Sequence, residues 1–152
     1  MKFDIKKIDK KNLLIVGIGN TLKGDDGAGC EVIRRLKIKG QLSFYLLDAG
    51  SAPENYTKKI KDYKPKTIIF IDAVSMSELP GTIKMIDEKE ISSGYFTTHN
   101  MPLNLFIDYI KQETKSEIFF VGIQPKSVKI GEGLSAEVQK SAEKLVEKLC
   151  MN

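Results

Sequence analysis

The chain has 152 residues, enough for one domain with a single core, and its 41% hydrophobic and 29% charged content is that of a globular rather than a disordered protein. Its net charge of +4 gathers at Lys6, Lys7, Lys10, Lys11 and at Lys58, Lys59, Lys61, Lys64, Lys66, without the dense basic face and interleaved aromatics of a nucleic-acid binder. Two distant cysteines, Cys30 and Cys150, argue against a disulfide framework or zinc ribbon; a polar start and short apolar runs argue against a secretory signal or membrane span, so a cytoplasmic protein is expected.

Residues 13–16 (Leu-Leu-Ile-Val) run continuously apolar into Gly17-Ile18-Gly19-Asn20, which predicts a strand buried on both faces and stopped by a glycine turn. Cys30, Ile33 and Leu36, with Val32, stripe a helix that ends before Gly40. A second strand is predicted over 42–47, closed by Asp48-Ala49-Gly50, and Ser51-Ala-Pro-Glu54 reads as a capping box opening a helix toward Tyr63. The run 67–71 predicts a third strand with Asp72 at its end. After the Pro80-Gly81 turn come a fourth strand over 82–86 and a short helix capped by Asp87.

Leu103, Phe106, Ile107 and Ile110 place a core-facing stripe on a helix whose first turn holds Pro102. Residues 118–121 predict the last strand, and Ser135 caps a C-terminal helix striped by Val138, Ala142, Leu145, Val146 and Leu149. Apolar strands alternating with amphipathic helices imply a single α/β domain over 1–152. Its expected form is a three-layer sandwich, a mostly parallel sheet of about five strands with helices on both faces, preceded by a charged extension over 1–11. Ligands in such folds sit beyond the C-terminal ends of the strands, here 19–26, 48–51, 72–75 and 97–100.

Gly17-Ile18-Gly19 after a strand invites a dinucleotide-binding reading, with Asp48 where a ribose would be held. Leu22 stands where the third glycine is needed, and Asp25 and Asp26 would repel a pyrophosphate. One carboxylate suffices to cap a helix, so Asp25 is read as the cap and Asp26 as facing the cleft. Asp72 and His99, the single histidine, reach the same edge, and two carboxylates with an imidazole form a site acceptable to zinc, nickel, manganese or iron. No nucleophilic triad can be assembled from Ser51 or Ser75, and Cys30 is read as core, so hydrolysis would rest on carboxylates and a metal-activated water. Asn20, Asp48 and Gly50 are candidate substrate-binding positions.

The stretch Gly17-Ile-Gly-Asn-Thr-Leu-Lys-Gly-Asp-Asp-Gly-Ala-Gly29 resembles the N-terminal signature of the [NiFe]-hydrogenase maturation endopeptidases. The likeness continues at Asp48-Ala-Gly-Ser-Ala-Pro-Glu-Asn55, Ile71-Asp-Ala73, Thr97-Thr-His-Asn-Met-Pro-Leu-Asn104 and Gly122-Ile-Gln-Pro125, the last two most like the branch serving formate-hydrogenlyase and related membrane-associated hydrogenases. The chain departs from the usual Asp-Gly-Gly at Ala49. The resemblance implies a catalytic metal site of Asp26, Asp72 and His99. It also implies nickel that arrives in the substrate, with other divalent metals such as zinc able to bind in vitro, and removal of the C-terminal peptide of a nickel-loaded large-subunit precursor. A monomer without membrane insertion or nucleic-acid partner is expected. The rival readings are a non-catalytic nickel- or precursor-binding chaperone using the same cleft, and the nucleotide-binding domain weakened above.

Overall fold

The computed structural model describes residues 4–92, 97–98 and 101–151. In chain order the strands and helices are β1 (Leu13–Ile18), α1 (Ala28–Lys39), β2 (Tyr45–Gly50), α2 (Thr57–Asp62), β3 (Thr67–Ala73), β4 (Ile83–Ile86), α3 (Glu88–Ser92), β5 (Thr97–Thr98), β6 (Met101–Pro102), α4 (Leu103–Thr114), β7 (Glu117–Ile123) and α5 (Ala136–Cys150). Five strands form one sheet in the order β2-β1-β3-β7-β4, parallel except where β4 runs antiparallel to β7 at the edge.

The two-residue period of β1 sorts its side chains between two cores. Leu13 and Ile15 join Ile33 and Leu36 of α1 and Val138, Ala142 and Leu145 of α5. Leu14, Val16 and Ile18 face the other way, onto Ile60 of α2 and Phe106, Ile107 and Ile110 of α4. A strand covered on both faces has no solvent side for a polar residue, which is why the central strands read as unbroken apolar runs. The three-layer arrangement expected from the sequence is the one found.

Several boundaries differ from expectation. The strand predicted over 42–47 starts at Tyr45 and runs on through Asp48, Ala49 and Gly50, because those residues keep pairing with β1, Gly17 opposite Asp48 and Ile18 opposite Gly50 across a register shift. The expected capping box does not form. Ala52 stands at the cap of a 3-10 turn (Pro53–Tyr56) without a side-chain bond, and α2 follows only at Thr57. Pro53 fixes φ at the first helical position, which starts this turn without a side-chain acceptor. Pro102 precedes α4 instead of lying in its first turn, because it pairs with Thr97 in the short β5–β6 ladder. No described helix is long and apolar enough to cross a membrane.

Candidate active site

The strand order places a switch point beside β1, since the chain leaves β1 for β2 on one side and β3 lies on the other. In such folds the loops diverge at this point and ligands bind in the crevice between them. Asp26 and Asp72 both lie at this edge, close enough for the Asp26 charge to act on Asp72. Pairing between β1 and β3 ends at Gly17 opposite Ile71, so Asp72 is the first β3 residue past that pairing, and the chain leaving β1 leads directly to Asp26.

Asp26 sits in a 3-10 turn (Gly24–Gly27) that leads into α1. Its Oδ2 accepts the Asn20 amide at 2.9 Å, and its own amide donates to the Lys23 carbonyl at 3.0 Å. The approach of α1 to the sheet depends on glycine. A Cβ on Gly29 would collide with the carbonyl oxygens of Ile71 and Ile18, and one on Gly17 would collide with the Gly29 carbonyl. The signature glycines thus let the helix N-terminus descend onto the strand ends and carry Asp26 to Asp72.

Asp72 is 2% exposed, and among the described residues its Oδ1 has no hydrogen-bond partner. Burial holds its carboxyl well above the usual carboxylate range; the Asp26 charge adds to this, and a hydrogen bond from the Ala73 backbone opposes it. A dry carboxyl with an unused oxygen beside a second carboxylate is an oxygen donor set suited to a divalent cation. His99, the expected third member, lies outside the described residues, as does Asn100. No group of three metal-holding side chains is present among the described residues.

The candidate substrate-binding positions gather at the adjoining strand ends. Asn20 braces Asp26 through its amide and takes the Leu22 amide on its own Oδ1 at 2.9 Å. Gly19 donates to the Gly50 carbonyl at 2.8 Å, and Gly50 donates to Asp48 Oδ1 at 3.0 Å. Cys30 is buried behind them and donates to the Gly19 carbonyl at 3.4 Å. Burial, followed by its neighbour Asp48, pushes its thiol up, so it is an inert packing residue as the sequence implied.

Asp25 is structural, but not as the cap of its own helix. Its carboxylate, 1% exposed, reaches across the chain to accept the Lys126 amide at 2.8 Å, the Ser127 amide at 3.3 Å, the Ser135 amide at 2.7 Å and the Ser135 hydroxyl at 2.8 Å. Local pattern could not show this, because every partner is far away in sequence. Gln124 was likewise without an assigned role. Its Oε1 accepts the Met76 amide at 2.6 Å and the Glu78 amide at 3.3 Å, which fixes the loop that follows Asp72.

Comparison with known proteins identifies the family. The family model for the hydrogenase maturation protease HycI matches residues 30–152. The hydrogenase 3 maturation protease of Escherichia coli is 34% identical over 137 residues, covering 90% of this chain and 87% of that protein. The crystal structure of the [NiFe] hydrogenase maturation protease HycI from Thermococcus kodakarensis superposes with a TM-score of 0.83 at 34% identity, covering 91% of this chain and 89% of that one. The solution structure of the Escherichia coli endopeptidase HycI gives 0.81 at 33% identity, covering 90% and 88%. With the glycine-dependent descent of α1 and the paired aspartates at the switch point, these matches show that the chain belongs to the hydrogenase maturation protease family.

Proposed function

We propose that this protein is the endopeptidase that removes the C-terminal peptide of a [NiFe]-hydrogenase large-subunit precursor once nickel has been inserted, the cut being made at the Asp26–Asp72 crevice. The observation that carries the reading is the buried Oδ1 of Asp72, without a hydrogen-bond partner among the described residues, on a carboxyl close enough to feel the charge of Asp26. The half-buried Asp26 carboxylate raises the cost of ionising the buried Asp72 beside it, and an incoming dication offsets that cost. Nickel held by the precursor would be that cation, with Asp26, Asp72 and His99 as its ligands from this chain, and it would supply Lewis-acid polarisation at the scissile carbonyl.

The protein's own residues do the rest. Burial and the Asp26 charge favour the protonated form of Asp72, and entering positive charge favours release of that proton. Asn20 fixes the Asp26 carboxylate so that it does not swing toward solvent. Asp48 and Gly50, at the end of the neighbouring edge strand, lie where an extended tail of the precursor would pass.

The test is the intact mass of a nickel-loaded precursor after incubation with the native protein, with Asp26→Asn and with His99→Ala, beside a nickel-free precursor. Loss of a C-terminal peptide is expected only with nickel and the native protein. Each variant should be slower by about two orders of magnitude or more, on the order of 3 kcal/mol of transition-state stabilisation. An unchanged precursor mass despite stable binding would favour a non-catalytic chaperone, and full activity of His99→Ala would remove the imidazole from the mechanism.

A further inference from the structure

The loop over 126–135 has no regular structure of its own, yet it is stitched to the loop that carries Asp26. Besides the four bonds to the Asp25 carboxylate, the Asp25 amide donates to the Ser127 carbonyl at 2.8 Å, Gly24 to the Glu132 carbonyl at 3.1 Å and Gly131 to the Leu22 carbonyl at 2.9 Å. On this fixed base stand three apolar side chains turned to solvent: Leu22 at 71% exposed, Ile130 at 81% and Val128 at 44%. None belongs to either core. Lys23 and Lys129 adjoin them in the chain, against the one carboxylate of Glu132 two residues past Ile130, so the rim carries a net positive charge.

Large apolar side chains held in water on a rigid support mark a contact surface, because the ordering cost of binding is largely met before the partner arrives. Their place in the fold identifies the partner. A protease that cuts a folded precursor must lay its active edge against that precursor, and Leu22 lies on the same loop as Asp26.

We infer that Leu22, Val128 and Ile130 form the docking face for the precursor's folded body, meeting an apolar patch rimmed by acidic side chains. This rests on the endopeptidase reading above. It adds that affinity and choice of precursor come from a surface distinct from the groups that act on the peptide bond.

The experiment compares Leu22→Asp/Ile130→Asp with the native protein and with Ile38→Asp, an exposed apolar position on α1 outside this face. Binding of the nickel-loaded precursor is measured in an Asp26→Asn background that holds it uncut, and processing is measured in the otherwise native background. The double variant should weaken binding and raise KM by about tenfold or more with kcat preserved, while Ile38→Asp behaves as native. Lys23→Glu/Lys129→Glu should weaken binding most at low salt. If the double aspartate variant melts early, Leu22→Ala/Ile130→Ala replaces it.

Native affinity in the variant, with cutting intact, overturns the docking face and leaves the endopeptidase reading standing. A native protein that neither binds nor cuts any precursor overturns both. A native dimer that the variant turns into a monomer without change in precursor affinity makes this face a contact between copies of the chain, and the inference fails.

Discussion

Asp25 and Asp26 are neighbours with opposite tasks: one carboxylate is saturated by backbone and hydroxyl donors from a distant loop, while the other lies beside Asp72. Asp72 is the residue whose protonation should be visible in stability. Its folded pKa lies above that of the unfolded chain, so the folded state keeps a proton that the unfolded state releases. The stability this confers is complete below the ordinary carboxylate range and is lost as pH rises through the folded value. Asp72→Asn removes that loss. In the absence of metal, it should melt about 2–4 °C above the native protein at pH 8, on the order of 1 kcal/mol in a domain of this size, and the gap should close as the pH is lowered. Scanning calorimetry across pH checks this, and a gap that widens toward acid would mean that Asp72 is not held protonated.

At the scale of elements, the descent of α1 onto the sheet is the feature most exposed to a single substitution. Gly29→Ala gains about 1 kcal/mol in helix propensity but drives a methyl group into two backbone carbonyls of β1 and β3. Overpacking against backbone should win and cost a net of about 3 kcal/mol or more in urea unfolding. Gly133→Ala, with open space around the added methyl, should stay within about 0.5 kcal/mol of native. Equal stability of the two variants would show that the helix can ride up without penalty.

The sequence carried the elements whose signal is local. The unbroken run over 13–16, the stripe of α4 and the Ser135 cap, which accepts the Val138 amide at 3.4 Å, are all present. It could not carry what depends on pairing. Asp48 to Gly50 stay in a strand because β1 lies beside them, and the two-residue strands β5 and β6 are too short for a period to show. The candidate pair was legible because Asp72 stands where the apolar run of β3 ends and Asp26 lies in the turn that carries the chain from the same edge of the sheet into α1. Asp25 was misread as a local cap because nothing near it in sequence reveals partners more than 100 residues away.

For the molecule as a whole, two cores share one sheet, and neither can persist once the strands between them separate. Unfolding should therefore be a single transition. The chain has no tryptophan, so the near-ultraviolet signal of its five tyrosines, among them Tyr45 and Tyr63 with rings 5.1 Å apart between β2 and the end of α2, can be set against far-ultraviolet dichroism. The two curves should coincide in denaturant, and an early tyrosine transition that is absent from Tyr45→Phe/Tyr63→Phe would mean that the β2 edge opens as a separate unit. The stitching of the 126–135 loop has a consequence for how such a protein can change over time. Apart from the Ser135 hydroxyl, what Asp25 and the backbone of 22–25 grip in that loop are amides and carbonyls, which every residue type except proline supplies in full. The outward side chains are thus free to drift, and a lineage could retarget the enzyme to a new client by exchanging a few letters there, leaving the sheet, the helices and the paired aspartates untouched.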